Sequence, residues 1–425
     1  MVAGFLGAFA VLLVLGMPIA IVLGGAALAY LLLKGGLSLT LIVQTTYAGM
    51  ASFPLLAVPL FILGGNLMTE SGITRDLVKF ARSLLGHVSG GLALVAIAAC
   101  TIFAAISGSA VATAVAIGVM LLPAMREAGY EDAFSGALMA TAACIGPVIP
   151  PSIPFILYGV ITNVSIVGLF MAGVVPGLLF GVALMLYAYA FSRRRGYPRD
   201  PRPSLKDLAL DTWRALPALF MPLLVVGGIV GGWFTPTEAA GVSVAYSLVV
   251  GSVVYRGLRL RRLPHILLNA ALESGVVMLL LGLSEPFAWV VAVEQLPQRL
   301  LDSLMTVSAS PWVILLLVNL ALLLIGIPLE TAPAITITAS VVAPLAPLLG
   351  IDPLHLGAVV VFNLVLGLIT PPVGAVLFSV CGMTKLSLER LSRAIWVPFV
   401  IGLMVLLLIT YVPGLTTFLP RLVLR

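Results

Sequence analysis

Ten stretches of this chain contain no Asp, Glu, Lys or Arg: 1–33, 35–69, 83–125, 133–192, 215–237, 239–255, 303–329, 331–351, 353–384 and 394–420. A helix needs roughly 20 mostly apolar residues to cross a bilayer core. The stretches give room for about ten to twelve such crossings. Only 9% of the 425 residues are charged, where a soluble domain carries about a quarter. The mean hydropathy is +1.21. Membrane β-barrel strands would alternate apolar and polar positions in runs of roughly ten, and no such alternation occurs. The expected class is an all-α polytopic membrane protein.

The few charges are unevenly placed. Ten of the 22 basic residues fall in two short loops, Arg193, Arg194, Arg195, Arg199, Arg202 and Lys206, then Arg256, Arg259, Arg261 and Arg262. Cationic loops stay on the cytoplasmic side. Two apolar segments, about 213–234 and 236–255, separate them, and an even number of crossings returns the chain to the same face. Loops 193–206 and 256–262 are therefore both expected in the cytoplasm. The net charge of +6 is thus a topology signal rather than a nucleic-acid signature. Cys100, Cys144 and Cys381 all lie in apolar runs and read as packing residues. Ala8-Phe9-Ala10 imitates a signal-peptide cleavage site, but no basic segment precedes it and the apolar run continues to Leu33. A retained first helix over about 2–33 is expected.

Gly (42) and Pro (29) make up one residue in six. In a membrane, such breaks are tolerated only where the freed backbone groups find other partners. Displacing the chain on itself by 221 residues aligns many of them. Pro123 meets Pro344, Gly129 meets Gly350, Glu131 meets Asp352, Gly136-Ala137 meets Gly357-Ala358, Gly146 meets Gly367, and Pro150-Pro151 meets Pro371-Pro372. These are turn residues held in one register, which predicts a two-fold internal repeat. The first half is 1–192, with an amphipathic surface arm at 72–86, a hairpin at 89–125 and a broken helix at 131–160. A basic loop, 193–210, divides the chain. The second half is 211–425, with a hairpin at 311–349, a broken helix at 355–384 and a second amphipathic arm at 386–396.

The hairpins are read from Ser107-Gly108-Ser109 and from Gly326-Ile327-Pro328-Leu329-Glu330-Thr331. Their arms of about 15–18 residues reach roughly 23–27 Å at 1.5 Å per residue, marginal for spanning and suited to re-entrance. At Gly146-Pro147-Val148-Ile149-Pro150-Pro151 and Gly367-Leu368-Ile369-Thr370-Pro371-Pro372, adjacent prolines remove amide donors and leave carbonyls without helical partners. Such oxygens suit a small hard cation, and exposed half-helix N-termini suit a carboxylate. Interrupted helices at matching places in two repeats point to a transporter's binding site. Ser107, Ser109, Thr113, Asn163, Ser165, Thr331, Asn363 and Thr370 supply neutral oxygens near the breaks. Glu330 is the one acid within a hairpin tip. The candidate substrate contacts are Ser109, Glu330, Asn363, Pro151 and Pro372. Asp132, Asp352 and His355 are expected in solvated turns, and Thr235 or Thr237 with Glu238 as a helix cap. No phosphate loop, HExxH, GxSxG or haem motif occurs.

Several strings carry a resemblance: SFPLLAVPLFILGGNLM (52–68), SGSAVATAVAIGVMLLPAM (107–125), GPVIPPSIPFILYGV (146–160), WFTPTEAAGVSV (233–244), GIPLETAPAITI (326–337), GIDPLHLGAVVVFNLVLGLITPPVGAVLF (350–378) and YVPGLTTFLP (411–420). The chain resembles the large membrane subunit of tripartite ATP-independent periplasmic (TRAP) transporters over essentially its whole length. The resemblance implies a bacterial inner-membrane importer of the elevator type, coupled to sodium and free of other cofactors. It implies an organic-acid substrate, a periplasmic binding protein that delivers it, and a small four-helix membrane subunit. Carried across by motif, a first sodium site would use Ser107, Ser109 and Gly146, and a second Gly326, Thr331, Gly367 and Thr370. Pro328 stands where many relatives have a bulkier apolar residue. Three rivals remain open at this point: a cation-coupled dicarboxylate transporter that needs no binding protein, an intramembrane enzyme built on Glu330, Asp352 and His355, and a passive channel.

Overall fold

A computed structural model describes residues 2–35, 38–308 and 310–424. Among the described residues every regular element is helical. Among these residues eight helices are long and apolar enough to cross a membrane: Phe53–Glu70, Ala110–Glu127, Ile166–Arg195, Leu205–Val230, Pro236–Val254, Leu260–Val293, Thr331–Leu348 and Leu388–Tyr411. Shorter apolar helices fill the other charge-free stretches, among them Gly91–Ser107, Ile153–Thr162, Pro353–Gly367 and Ala375–Thr384. The sequence count of about ten to twelve included these stretches, whose helices are each shorter than 18 residues.

Each repeat runs scaffold helix, arm, hairpin, broken helix, long helix. In the first these are Ala57–Glu70, Ile73–Leu85, Gly91–Ser107 with Ala110–Glu127, Asp132–Ala143 with Ile153–Thr162, and Ile166–Arg195. In the second they are Leu263–Val293, Leu296–Val307, Pro311–Gly326 with Thr331–Val342, Pro353–Gly367 with Ala375–Thr384, and Leu388–Tyr411. The first arm buries Ile73, Leu77, Val78 and Ala81 and exposes Arg75, Lys79 and Arg82, the two-faced pattern of a surface helix.

Two sequence expectations change here. Residues 386–396 do not form a separate arm. They are the opening turns of one continuous helix, Leu388–Tyr411, capped by Ser387, with Leu391 and Ile395 buried in line with Pro398, Phe399 and Gly402 below. Glu389, Arg390 and Arg393 only decorate its exposed end. The second arm is Leu296–Val307, which is where the offset of 221 projects 72–86. The apolar run 2–33 is also two helices, Val2–Val14 and Ile19–Lys34. Gly16 at φ 72° and Pro18 at the second helix's cap separate them. They fold back on each other, with Phe5 against Tyr30 and Gly4 against Leu33.

The first halves of the broken helices form the centre. Every residue from Ala133 to Ala143 and from His355 to Gly367 is buried. A helix apolar all round belongs in an interior, and small residues let neighbouring backbones approach. The repeats interlock here. Phe180 meets Phe362 edge-on at 5.5 Å, and Gly402 lies under Leu366 and Phe180. Gly357 packs so tightly on the first repeat that a Cβ would sit 2.6 Å from Leu169 Cδ2 and 2.7 Å from Tyr158 Cε1. A smaller cluster of Phe5, Leu23, Tyr30, Phe287 and Val290 ties the N-terminal helices to Leu263–Val293.

The tightness of that interlock is measurable. Gly357→Ala overpacks the repeat interface and is expected to cost about 1–3 kcal/mol. Gly7→Ala, where no atom lies within 4 Å, is expected to be neutral or slightly stabilising. Melting of the two detergent-purified variants checks the contrast.

Candidate functional site

Gly91–Ser107 ends at a glycine, Gly108, in the left-handed region at φ 61°. Ser109 then opens Ala110–Glu127, its Oγ accepting from the Ala112 amide at 3.4 Å. The Ser109 carbonyl oxygen receives the Thr113 hydroxyl at 2.7 Å and the Ser107 hydroxyl at 3.2 Å. The two hydroxyls are themselves 3.2 Å apart. Gly146 closes this cluster from the broken helix. A Cβ there would lie 3.0 Å from the Ala143 carbonyl, 3.1 Å from Thr113 Oγ1 and 3.3 Å from the Ser109 carbonyl. Ser107, Ser109 and Gly146 are thus brought together with Thr113 as a group of oxygens between a hairpin tip and a helix break.

The break itself spans 144–152, and its Pro150-Pro151 bond is cis, as is Pro371-Pro372. Ser152 restarts the helix Ile153–Thr162. Its Oγ accepts from the Phe155 amide at 3.3 Å and donates to the Pro147 carbonyl at 2.5 Å. One hydroxyl therefore caps the new helix and ties down the loop before it. Sequence reasoning passed over Ser152, although a Ser followed by Ile-Pro at the start of an apolar run is a helix-start signal. Hairpin tip and break also touch directly: a Cβ on Gly108 would lie 3.0 Å from the Pro151 carbonyl.

In the second repeat the contact is backbone on backbone. A Cβ on Gly367 would lie 2.6 Å from the Gly326 carbonyl oxygen, and one on Gly326 would lie 3.1 Å from Gly367 Cα. Only two glycines allow this approach. Glu330 takes the cap position of Thr331–Val342, but its side chain makes no cap bond and is exposed. Thr331 Oγ1 is buried without a hydrogen-bond partner. Thr370 Oγ1 instead donates to the Leu366 carbonyl, at the end of the preceding helix, at 2.9 Å.

Between the two halves lies a cavity of about 170 Å3, lined by both tips and both breaks: Gly108, Ser109, Ala110, Val111, Pro147, Ile153, Pro154, Glu330, Thr331, Ala332 and Leu368. Three helices present their first turn to it: Ala110–Glu127, Ile153–Thr162 and Thr331–Val342. First-turn amides have no intrahelical acceptor, and each helix start carries roughly half a positive elementary charge. The cavity is therefore set up for an anion, although the one ionisable side chain in its wall, Glu330, is acidic. Among the described residues no three His, Cys, Asp or Glu side chains come together. The available ligands are neutral oxygens, which suit hard cations.

Of the candidate substrate contacts, Ser109 and Glu330 line the cavity and the others do not. Pro151 is buried with its carbonyl toward Gly108, and Pro372 is exposed. Asn363 is wholly buried and donates to Asn319. Asp352 caps Pro353–Gly367 through the Leu354 amide at 2.9 Å, and His355 Nδ1 lies 2.7 Å from Thr416 Oγ1. Neither lines the cavity beside Glu330, and His355 is buried rather than in a solvated turn. Asp132 forms a two-point ion pair with Arg126 at 2.7 and 2.8 Å. Thr235 and Glu238 form a reciprocal helix cap. A further acid within an apolar helix, Glu285, packs against Gly49 away from the cavity and was not singled out in the sequence.

Residues 6–415 match the family described as tripartite ATP-independent periplasmic transporter, DctM component. The chain belongs to this family. It is 40% identical to the sialic acid TRAP transporter large permease protein SiaM of Vibrio cholerae, over 99% of this chain and 97% of that one. It is also 40% identical to the C4-dicarboxylate TRAP transporter large permease protein DctM of Pseudomonas aeruginosa, over 87% of this chain and 86% of that one. The isethionate TRAP transporter permease protein DctMQ of Oleidesulfovibrio alaskensis is 41% identical over 97% of this chain, which spans 65% of the longer relative's length. Among solved structures, the YdaH transporter of Alcanivorax borkumensis superposes with a TM-score of 0.65, covering 88% of this chain and 89% of that one at 18% identity. That likeness supports the fold alone. The DctM family is one of multi-pass inner-membrane transporter permeases.

The tip–break contact gives a stability test. Gly129 is left-handed at φ 82° with no atom within 4 Å, so Gly129→Ala pays only for its backbone, about 1–2 kcal/mol. Gly108→Ala pays that and also presses on the Pro151 carbonyl. Its melting temperature is expected to fall further than that of Gly129→Ala.

Proposed function

We propose that this DctM chain is the translocating subunit of a sodium-coupled importer for an organic acid. The observation that carries the reading is the cavity shared by two hairpin tips and two helix breaks, with three helix starts facing it. Sodium binds at the Ser107–Ser109–Gly146 group and at the Gly326–Gly367 contact with Thr331 and Thr370. Both groups adjoin the cavity through residues of the same tips, so bound cations stiffen its walls and add positive charge beside it. The acid then binds with its carboxylate toward the helix starts. The substrates in the relatives' names (sialic acid, C4-dicarboxylate and isethionate) are all organic acids, which supports the class without choosing a member.

Hairpins and broken helices then move together against a scaffold that includes the N-terminal helix pair, Ala57–Glu70 and Leu263–Val293, in an elevator motion braced by the two arms. Such a motion is driven only by ligands that bind the two states differently. The partners are a periplasmic binding protein, which delivers the acid, and a small four-helix membrane subunit. The family's description as tripartite and periplasmic supports both. Loops 193–206 and 256–262 face the cytoplasm by their positive charge. The first arm lies on that side too: Arg82 pairs with Asp200 at 2.7 Å, Ser83 bonds Asp211, and Arg262 reaches Glu70 beside the arm's first turn at 3.1 Å.

The test is uptake into proteoliposomes holding this chain and its small subunit, with ligand-loaded binding protein outside. Uptake is expected to need an inward sodium gradient, and Ser109→Ala combined with Thr370→Ala is expected to abolish the sodium dependence or the uptake. Equal uptake with sodium replaced by choline would sink the coupling. Uptake of free acid with no binding protein present would point to the simpler dicarboxylate carrier.

A further inference from the structure

Three polar side chains meet in the interior of the second repeat, each from a different element. Asn363 of the broken helix donates through Nδ2 to Asn319 Oδ1 at 2.8 Å and to the Asn319 carbonyl at 2.9 Å. Asn319 of the hairpin arm donates through Nδ2 to Thr410 Oγ1 at 3.1 Å. Thr410, on Leu388–Tyr411, passes its own proton to the Leu406 carbonyl at 2.7 Å. The three side chains are 0%, 3% and 0% exposed. The orientation of the Asn363 amide is set by its partners. Reversing it would aim an oxygen at the Asn319 carbonyl, which cannot donate. That fixed orientation leaves Asn363 Oδ1 buried with no partner. Apolar side chains of similar size would pack this junction without a dry acceptor, so packing alone does not account for the triad.

Its location does. Asn363 precedes Gly367 by one helical turn, and Asn319 precedes Gly326 by two, so each lies on the same face of its helix as the glycine above it. The triad sits under the Gly326–Gly367 contact and joins the same two elements. At the offset of 221, the first repeat has Ala98 and Ala142 in these places. There the hydroxyls of Ser107 and Thr113 hold the Ser109 carbonyl within the tip itself. The second tip has Pro328, Leu329 and Glu330 instead, and no hydroxyl does that work.

We propose that Asn319, Asn363 and Thr410 are positioning residues for the second cation site. They fix the register of the second hairpin against the broken helix, so that the Gly326 and Gly367 backbones are held in their close contact. The role assigned to Asn363 is therefore support of a cation site rather than contact with the substrate. This inference rests on the sodium reading of the Gly326–Gly367 contact.

The experiment is melting of the purified full chain, titrated with sodium chloride against choline chloride at constant ionic strength. The wild type is expected to gain stability with sodium. Asn363→Leu keeps the volume and removes the amide. It is expected to melt normally in choline but to need about tenfold more sodium for half the gain, the scale seen when groups behind metal ligands are removed. Asn319→Leu is expected to do the same, and the double variant to be no worse, because the three act as one unit. Should the Leu variants fail to fold, Thr410→Ala against Thr410→Ser makes the same comparison, with Ser retaining wild-type sodium dependence. A wild type indifferent to sodium overturns the sodium reading itself. A sodium-responsive wild type whose variants keep its half-effect concentration overturns the positioning role alone.

Discussion

A backbone amide or carbonyl in lipid has no water to bond with, so each must be satisfied within the protein. This chain breaks its helices in the middle of apolar segments at two tips and two proline pairs, and the rest of the fold follows from making those breaks tolerable. The first halves of both broken helices are buried along nearly their whole length. Ser152 bonds back to Pro147, Thr113 and Ser107 bond to Ser109, and Val376 donates across the second break to the Leu368 carbonyl at 3.2 Å. Each break is met by the tip of its own repeat: Gly146 lies against Ser109 and Thr113, and Gly367 against Gly326, with Pro372 left exposed.

The two halves meet this requirement by different chemistry. The first uses small hydroxyl side chains at the tip, so its oxygens are gathered locally. The second brings two glycine backbones into contact and stabilises their junction from below with amides. A repeat that began symmetric can diverge in this way because the constraint is on satisfied backbone groups, not on which residues satisfy them. Glycine is needed at Gly367 because a Cβ there would lie 2.6 Å from the Gly326 carbonyl oxygen, whereas at Gly108 it is needed for the left-handed turn.

The legible part of this architecture was the part written in turn residues. Gly, Pro and the charge-free runs located both hairpins and both breaks, and the offset of 221 projects the second arm onto 293–307. The expected arm at 386–396 rested on the charges of Glu389, Arg390 and Arg393. Charges near a membrane surface look alike whether they cover a helix lying flat or the end of one that plunges inward. The turn at Gly16–Pro18 was hidden for the opposite reason: apolar residues on both sides kept the hydropathy high through it. Asn363 was legible as an intramembrane polar group near a break, but its direction was not. A sequence gives the height of a residue on its helix, while which neighbour that face meets is decided by packing. Asn319, its partner, stood unnoticed in an apolar run because one amide there looks like an isolated exception.

The charge balance of the cavity connects the structure to coupling. Its wall contains no Lys, Arg or His among the described lining residues, and it contains Glu330. Three helix starts offset one negative charge approximately, at roughly half an elementary charge each, but they do not offset both Glu330 and an incoming carboxylate. An organic acid entering this space therefore needs additional positive charge nearby. On the sodium reading, the oxygen groups behind the two tips provide it, and they lose their reason to hold cations when the acid leaves. Had the site contained an arginine, the acid could bind without an ion and the two movements would be separable. The absence of a fixed cation in the wall is what would make the acid and the sodium travel together.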